Sequence, residues 1–167
     1  MKETDGTALP MRVGIGYDVH AFAKDRPLIV GGVHIPDHAG LAGHSDADVL
    51  LHAVMDGLLG ALALGDIGAH FPDTDDRYAG ADSLKLLDAV WQMIDAAGYR
   101  LGNLDAIVVA QAPKMAPYIE KMRENIAGTL RAEISQVSVK ATTEEHLGFT
   151  GREEGIAAKA AALLYRK

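Results

Sequence analysis

Apolar residues crowd positions 11–20 in a strand-like run, and two short apolar triplets, Leu28-Ile29-Val30 and Val33-His34-Ile35, flank Gly31-Gly32. A Gly-Gly pair between two such runs marks a hairpin turn, so the chain is read as opening with strands. Residues 46–64 are apolar over most of their surface, follow a capping-box-like Ser45-Asp46-Ala47-Asp48, and are closed by Gly65, which predicts a helix. Residues 65–80, rich in Gly and Asp, read as a loop, either long and ordered or disordered. Leu84, Leu87, Val90, Trp91 and Ile94 share one face of a second helix over 82–97, ended by Gly98. Ala106-Ile107-Val108-Val109-Ala110 has the β-branched character of a buried strand. Met115, Ile119, Met122 and Ile126 predict a helix over 115–130, residues 136–142 alternate like a strand, and the Ala-rich segment 155–165 is read as a last helix. This order argues for an α/β fold: a single two-layer domain over residues 11–167, with a small mixed β-sheet carrying helices on one face. Residues 1–10 mix charges with small polar residues and are expected to form a disordered tail.

Composition narrows the function. The 167 residues contain no cysteine, which removes disulfides and thiolate metal sites and leaves histidine and carboxylate as the strong metal ligands. With 16 Lys and Arg against 23 Asp and Glu the net charge is -7, and no basic run tracks a nucleic-acid backbone, so nucleic acid is excluded as a partner. No stretch approaches the ~18 apolar residues a membrane helix needs, and the first residues contain no apolar leader. A cytoplasmic location, away from any membrane, is expected.

The candidate chemistry centres on Asp18 and His20, which leave the same face of a strand because they are two residues apart. On the first predicted helix Asp48, His52 and Asp56 recur at i, i+4 and i+8, an ionisable stripe about 80° wide on an otherwise apolar surface. Asp18, His20 and His52 together make a three-ligand metal site with an open coordination position, the pattern of catalytic zinc, and Asp56 is expected to orient His52. Gly43-His44-Ser45 is read as lying at the helix N-terminus, where an anion is favoured; Ser45 is either a simple N-cap or, with His44, a phosphate contact. Gly65-Asp66-Ile67-Gly68 and Phe71-Pro72-Asp73-Thr74-Asp75 offer carboxylates to a polyol or only to solvent. Ala110-Gln111-Ala112-Pro113-Lys114-Met115-Ala116 links strand to helix at a common ligand position of α/β sheets, and Lys140 to Glu145 ends the next strand with carboxylates suited to Mg²⁺. Gly148-Phe149-Thr150-Gly151-Arg152 adds a guanidinium. His34, His38, His70 and His146 are read as surface residues.

Taken in order, Gly16-Tyr17-Asp18-Val19-His20, Gly43-His44-Ser45-Asp46-Ala47-Asp48, Leu64-Gly65-Asp66-Ile67-Gly68, Phe71 to Asp75, Ala110 to Met115 and Gly148 to Arg152 resemble the 2-C-methyl-D-erythritol 2,4-cyclodiphosphate synthases of the non-mevalonate route to isoprenoids. The resemblance spans nearly all of residues 11–167. It implies a homotrimer with active sites between subunits, and a cytidine diphosphate substrate, 4-diphosphocytidyl-2-C-methyl-D-erythritol 2-phosphate, cyclised with release of CMP. By the same resemblance zinc falls on Asp18, His20 and His52, a second metal, magnesium or manganese, on Glu145, and transition-state stabilisation on His44 and Thr143. Substrate contacts fall on Asp18, Val19, His20, His44, Ser45, Asp66, Ile67, Gly68 and Phe71 to Asp75. Ala110 to Ala116 and Thr142, Thr143, Glu144 and Glu145 correspond to the cytidine diphosphate pocket, with Phe149 and Arg152 near the ligand and a central cavity. Glu144, His146 and Glu153 depart from the common family pattern, and Glu153 argues against isoprenoid diphosphates in that cavity.

Two other functions fit the same ligands. A metal-dependent phosphoesterase would use the trio to activate water, and a non-catalytic isoprenoid-diphosphate-binding module would hold structural zinc; the latter lacks a cysteine for a fourth ligand.

Overall fold

The computed structural model describes residues 10–167, so the expected tail, apart from Pro10, lies outside the described residues. The chain runs β1 (Met11–Ala23), β2 (Leu28–Val30), β3 (Val33–Ile35), β4 (Gly40–Leu41), α1 (Val49–Ala61), α2 (Ile67–His70), α3 (Ser83–Ala96), β5 (Tyr99–Val109), α4 (Ile119–Thr129), β6 (Val137–Thr142), α5 (Gly148–Gly151) and β7 (Gly155–Arg166). Five strands form a mixed sheet in the order β4-β1-β7-β5-β6, in which only β5 and β6 pair in parallel, while β2 and β3 form the expected separate hairpin. Gly31 and Gly32 take positive φ at its turn.

Helix α1 lies directly on β1 and β7. An added Cβ at Gly14 would meet the Gly57 carbonyl oxygen at 2.0 Å, and at Gly16 the Ala53 carbonyl oxygen at 1.9 Å, so glycine on β1 permits this close helix-to-sheet contact. Leu50, Leu51, Val54, Leu58, Leu87, Ile94, Met122 and Ile126 fill the core between helices and sheet. On the other face of β1, Val13, Ile15 and Tyr17 are 69%, 79% and 50% exposed.

The principal correction is β7. Its alanines predict a helix, yet the segment hydrogen-bonds to β1 on one side and β5 on the other. Alanine serves packing here: Ala158, Ala160 and Ala162 are buried beneath α1, where larger side chains would lift the helix away. The tertiary demand outweighs helix propensity.

Helix α1 is shorter than the expected 46–64 because Asp48, not Ser45, caps it, its side chain accepting from Leu51 N–H. Beyond Ala61 the chain turns through Ala63 at positive φ. The loop after Gly65 is ordered around α2 and a short 3₁₀ turn at Asp76–Tyr78. The helix expected from residue 115 begins as a 3₁₀ turn, Ala116–Tyr118, before α4.

Candidate functional site

The two-residue spacing on β1 sends Asp18 and His20 to the α1 side, where His52 descends from the helix. Asp18 Oδ2 lies 2.8 Å from His20 Nε2 and 3.0 Å from His52 Nδ1, and the two ring nitrogens are 3.2 Å apart. Their ligand atoms therefore converge as a cation site requires. Three ligands about 2.0–2.1 Å from a tetrahedral zinc would stand about 3.3 Å from one another, close to this spacing. The donor chemistry fits as well. His20 Nδ1 donates to the Ala42 carbonyl at 2.6 Å, which leaves Nε2 with a lone pair directed at the shared point.

Without a cation, protons couple the trio instead. Burial alone would raise the Asp18 carboxyl, but its contacts with the His20 and His52 imidazoles outweigh burial and hold the group well below the usual carboxylate range. Burial opposes charge on His20, but a protonated Nε2 donates to Asp18, which raises His20 above its ordinary value, so a proton and a cation compete for that nitrogen.

A cavity of about 440 Å³ opens from the trio and is lined by Gly43, His44, Ser45, Met55, Ile67, Gly68, Phe71, Pro72, Asp73, Tyr78 and Leu86. Phe71 meets the edge of Tyr78 with ring centroids 5.4 Å apart, giving the pocket an aromatic wall. Asp66, Thr74 and Asp75 belong to the same loop without lining the cavity. Asp66 caps α2 through Ala69 N–H, and Asp75 chelates the Arg77 guanidinium. Val19 points its side chain to the opposite face of β1 and is 42% exposed.

His44 reaches the rim differently from expectation. The N–H groups of α1 do not serve the Gly43-His44-Ser45 turn, because Asp48 caps that helix three residues farther on. Instead the Arg26 guanidinium donates to the carbonyls of Gly43 and Ser45, bracketing His44. Ser45 Oγ lies 3.1 Å from His52 Nε2.

The stripe on α1 divides into separate tasks. Asp48 is fully buried and accepts from Gly31 and Gly32 N–H at 2.9 and 2.6 Å, tying the β2–β3 turn to the helix start. Asp56, expected behind His52, accepts from Ile67 N–H at 2.8 Å. Behind His52, beside Ser45, stands Ser83, whose Oγ is 3.2 Å from Nε2 and which is bound in turn to Asp46. Arg26, Asp46 and Ser83 escaped sequence reasoning; a capping-type Asp82-Ser83 at the start of α3 was the only local signal for the last.

The second group of expected residues assembles at the ends of β5 and β6. Ala110 N–H donates to Thr142 O at 3.0 Å and His146 N–H to Gln111 Oε1 at 3.2 Å, joining the two loops. The Ala112–Pro113 peptide is cis, Lys114 and Ala116 are exposed, and Met115 is buried in the core. Thr143 Oγ1 donates to Glu145 Oε1 at 2.7 Å, while Glu144 receives the Thr150 hydroxyl. Glu144 and Glu145 line a separate depression with Leu147 and Gly148. Phe149 is 37% exposed, and Arg152 pairs with Glu154 at 2.7 Å.

These two groups are not adjacent within one chain. Asp18 is level with Ala158, Val108 and Ala141 across β1, β7, β5 and β6. At about 4.8 Å per strand, the cation site and the Thr142 turn stand roughly 14 Å apart along the same end of the sheet.

The sequence profile described as the YgbB family matches residues 11–165. The 2-C-methyl-D-erythritol 2,4-cyclodiphosphate synthase of Clostridioides difficile is 61% identical over 154 residues, 92% of this chain and 96% of that protein. Among solved structures, IspF of Plasmodium falciparum in its CDP complex superposes with a TM-score of 0.83 at 34% identity, covering 96% of this chain and 99% of that one. The bifunctional IspDF of Campylobacter jejuni gives a TM-score of 0.92 at 42% identity over 96% of this chain, which spans only 43% of that longer protein. Profile, sequence and fold agree over nearly the whole length, and the chain belongs to the YgbB family of 2-C-methyl-D-erythritol 2,4-cyclodiphosphate synthases.

Proposed function

We infer that this chain is a phosphorus–oxygen lyase that converts 4-diphosphocytidyl-2-C-methyl-D-erythritol 2-phosphate to the 2,4-cyclodiphosphate and CMP. The observation that carries this reading is the convergence of Asp18, His20 and His52 at the floor of a pocket rimmed by His44 and walled by Phe71 and Pro72. Two imidazoles and one carboxylate suit zinc, while the exposed Glu145 carboxylate suits magnesium or manganese shared with substrate phosphates. Bound cations there supply charge neutralisation and orientation of the phosphates.

The remaining work belongs to the chain itself. The 2-phosphate is already ionised near neutral pH, so no side chain has to act as its general base. The protein folds the substrate so that this oxygen approaches the β-phosphorus in line with the departing CMP oxygen. His44 donates to a phosphate oxygen from a turn held by Arg26, and Gly68 offers its backbone N–H to the methylerythritol hydroxyls beside the Ile67 side chain, with Asp66 and Asp73 as acceptors. Phe71, Pro72 and Tyr78 limit water at this end. Ala110 to Ala116 and Thr142 to Glu145 hold the cytidine diphosphate, with Thr143 stabilising charge as the bond breaks. The CDP complex of the Plasmodium falciparum relative supports a cytidine nucleotide as ligand.

The same account makes the working unit a homotrimer with sites shared between copies. Support comes from the roughly 14 Å between the two half-sites in one chain and from the open apolar face of β1, where Val13, Ile15 and Tyr17 meet solvent. Native mass by light scattering is expected at three times 17.7 kDa. Phosphorus NMR of the reaction with the diphosphocytidyl substrate tests the activity: a cyclic diphosphate with CMP supports it, and a linear product or inorganic phosphate contradicts it.

A further inference from the structure

Two hydroxyls stand behind His52. Its Nε2 is 3.1 Å from Ser45 Oγ and 3.2 Å from Ser83 Oγ, and Ser83 is fully buried. A hydroxyl either donates to an imidazole nitrogen or accepts from it, so these contacts alone leave the His52 tautomer open. Asp46 decides between them. Its Oδ1 is 2.5 Å from Ser83 Oγ, and its Oδ2 accepts the Ser83 backbone N–H at 2.9 Å. A carboxylate has no proton to offer, so the Ser83 O–H donates to Asp46 in a short, charge-assisted bond. Ser83 Oγ then turns only lone pairs toward His52, and the contact is a hydrogen bond only when Nε2 carries the hydrogen.

Ser45 does not settle the tautomer. Its oxygen accepts from Ala47 N–H at 3.1 Å and keeps both a second lone pair and its own proton, so it serves His52 Nε2 as donor or as acceptor. The outcome matters at the opposite ring nitrogen. With Nε2 protonated, Nδ1 presents a lone pair to the point shared with Asp18 and His20. With Nδ1 protonated, that nitrogen donates to Asp18 Oδ2 at 3.0 Å and is closed to a cation.

We propose that Asp46, acting through the Ser83 hydroxyl, is a positioning residue that holds His52 in its Nε2–H tautomer and keeps Nδ1 open to a cation. The stripe on α1 placed the orienting carboxylate on the helix itself, at Asp56. The structure draws it from the preceding turn and routes it through a serine 37 positions farther along the chain. Asp46 is itself anchored, since its Oδ1 also receives Asp48 N–H at 3.2 Å. The chain of carboxylate, hydroxyl and imidazole therefore fixes both the ring and its proton.

This inference rests on reading the trio as a cation site, and the test separates the two. Nitrogen-15 NMR of the metal-free, full-length protein labelled at histidine reads the tautomer, with His52 assigned by the signals lost in His52→Gln. The expected result is Nε2–H in the wild type and growth of the Nδ1–H form in Asp46→Asn, where a neutral amide no longer obliges the Ser83 hydroxyl to donate away from the ring. Zinc affinity, measured by competition with a chromophoric chelator, is expected to fall about 10- to 100-fold in Asp46→Asn and Ser83→Ala. Circular dichroism checks that the variants fold, and should they not, the wild-type tautomer alone decides. An Nδ1–H wild type overturns the proposal, as does a folded Asp46→Asn with unchanged tautomer and zinc affinity. A wild type that binds no zinc overturns the cation reading instead, and the tautomer still tests the relay.

Discussion

The Asp56 carboxylate accepts the backbone N–H of Ile67 at 2.8 Å, joining the helix that carries His52 to the loop that walls the pocket. Burial raises the Asp56 carboxyl above its usual value, opposed by this same hydrogen bond. Asp56→Ala is therefore expected to loosen Ile67 and Gly68, raising KM severalfold while zinc content stays that of the wild type. Steady-state kinetics with metal analysis checks it. An unchanged KM would mean that the loop is held without Asp56.

Asp48 makes a prediction in pH. Burial pushes its carboxyl up to about 6, against hydrogen bonds from Gly32, Leu51 and Gly31 that favour the charged form. The ordinary aspartate value, taken as the reference for the unfolded chain, is 3.8. The folded state thus holds the proton more tightly, so the stability contributed is full below pH 3.8 and is lost as pH rises through about 6. Urea unfolding at pH 4 and pH 7 should show the wild type losing on the order of 3 kcal/mol relative to Asp48→Asn across this interval. A pH-independent difference between the two proteins would contradict it.

In the proposed mechanism His44 and Thr143 act on charge that develops during the reaction. His44→Ala or Thr143→Ala is expected to lower kcat on the order of 10² to 10³, with a smaller change in substrate affinity. Thr143→Ala also releases Glu145 from its 2.7 Å hydrogen bond, so it should weaken magnesium dependence as well. A rise in KM with kcat unchanged would recast both residues as ground-state binders.

Sites shared between subunits, as proposed, would allow complementation. His52→Ala damages one half-site and Glu145→Ala the other, so each homotrimer alone is expected to be inactive. In trimers reassembled from an equal mixture, about one site in four combines two intact halves, and activity should return to roughly a quarter of wild type. No recovery after verified subunit exchange would place each site within a single chain.

Residues that act through local periodicity were legible in the sequence. Asp18 and His20 share a face because a strand repeats every two residues, and His52 faces them because the helix exposes one narrow polar stripe among leucines. Residues brought in by the fold were not. Asp46 and Ser83 meet across two loops and Arg26 arrives from beyond the end of β1; the helix start at Asp82-Ser83 marks a cap, not a partner for His52. The strand β7 was hidden for another reason: the small residues that let α1 lie close to the sheet are also the strongest helix formers, and only its two flanking strands resolve the conflict. The alternation of buried Ile156, Ala158, Ala160, Ala162 and Leu164 with exposed Lys159, Ala161 and Tyr165 is the strand signal that the alanine content obscured.

In the proposed reaction the substrate's own phosphate oxygen, not water, attacks phosphorus at the site built on Asp18, His20 and His52. The most direct measurement is turnover of the diphosphocytidyl substrate in ¹⁸O-labelled water, followed by mass spectrometry of the phosphorus products. The cyclic diphosphate and CMP are both expected to form free of label. Incorporation of one solvent oxygen into either phosphoryl product would show hydrolysis and make the chain a metal-dependent phosphoesterase.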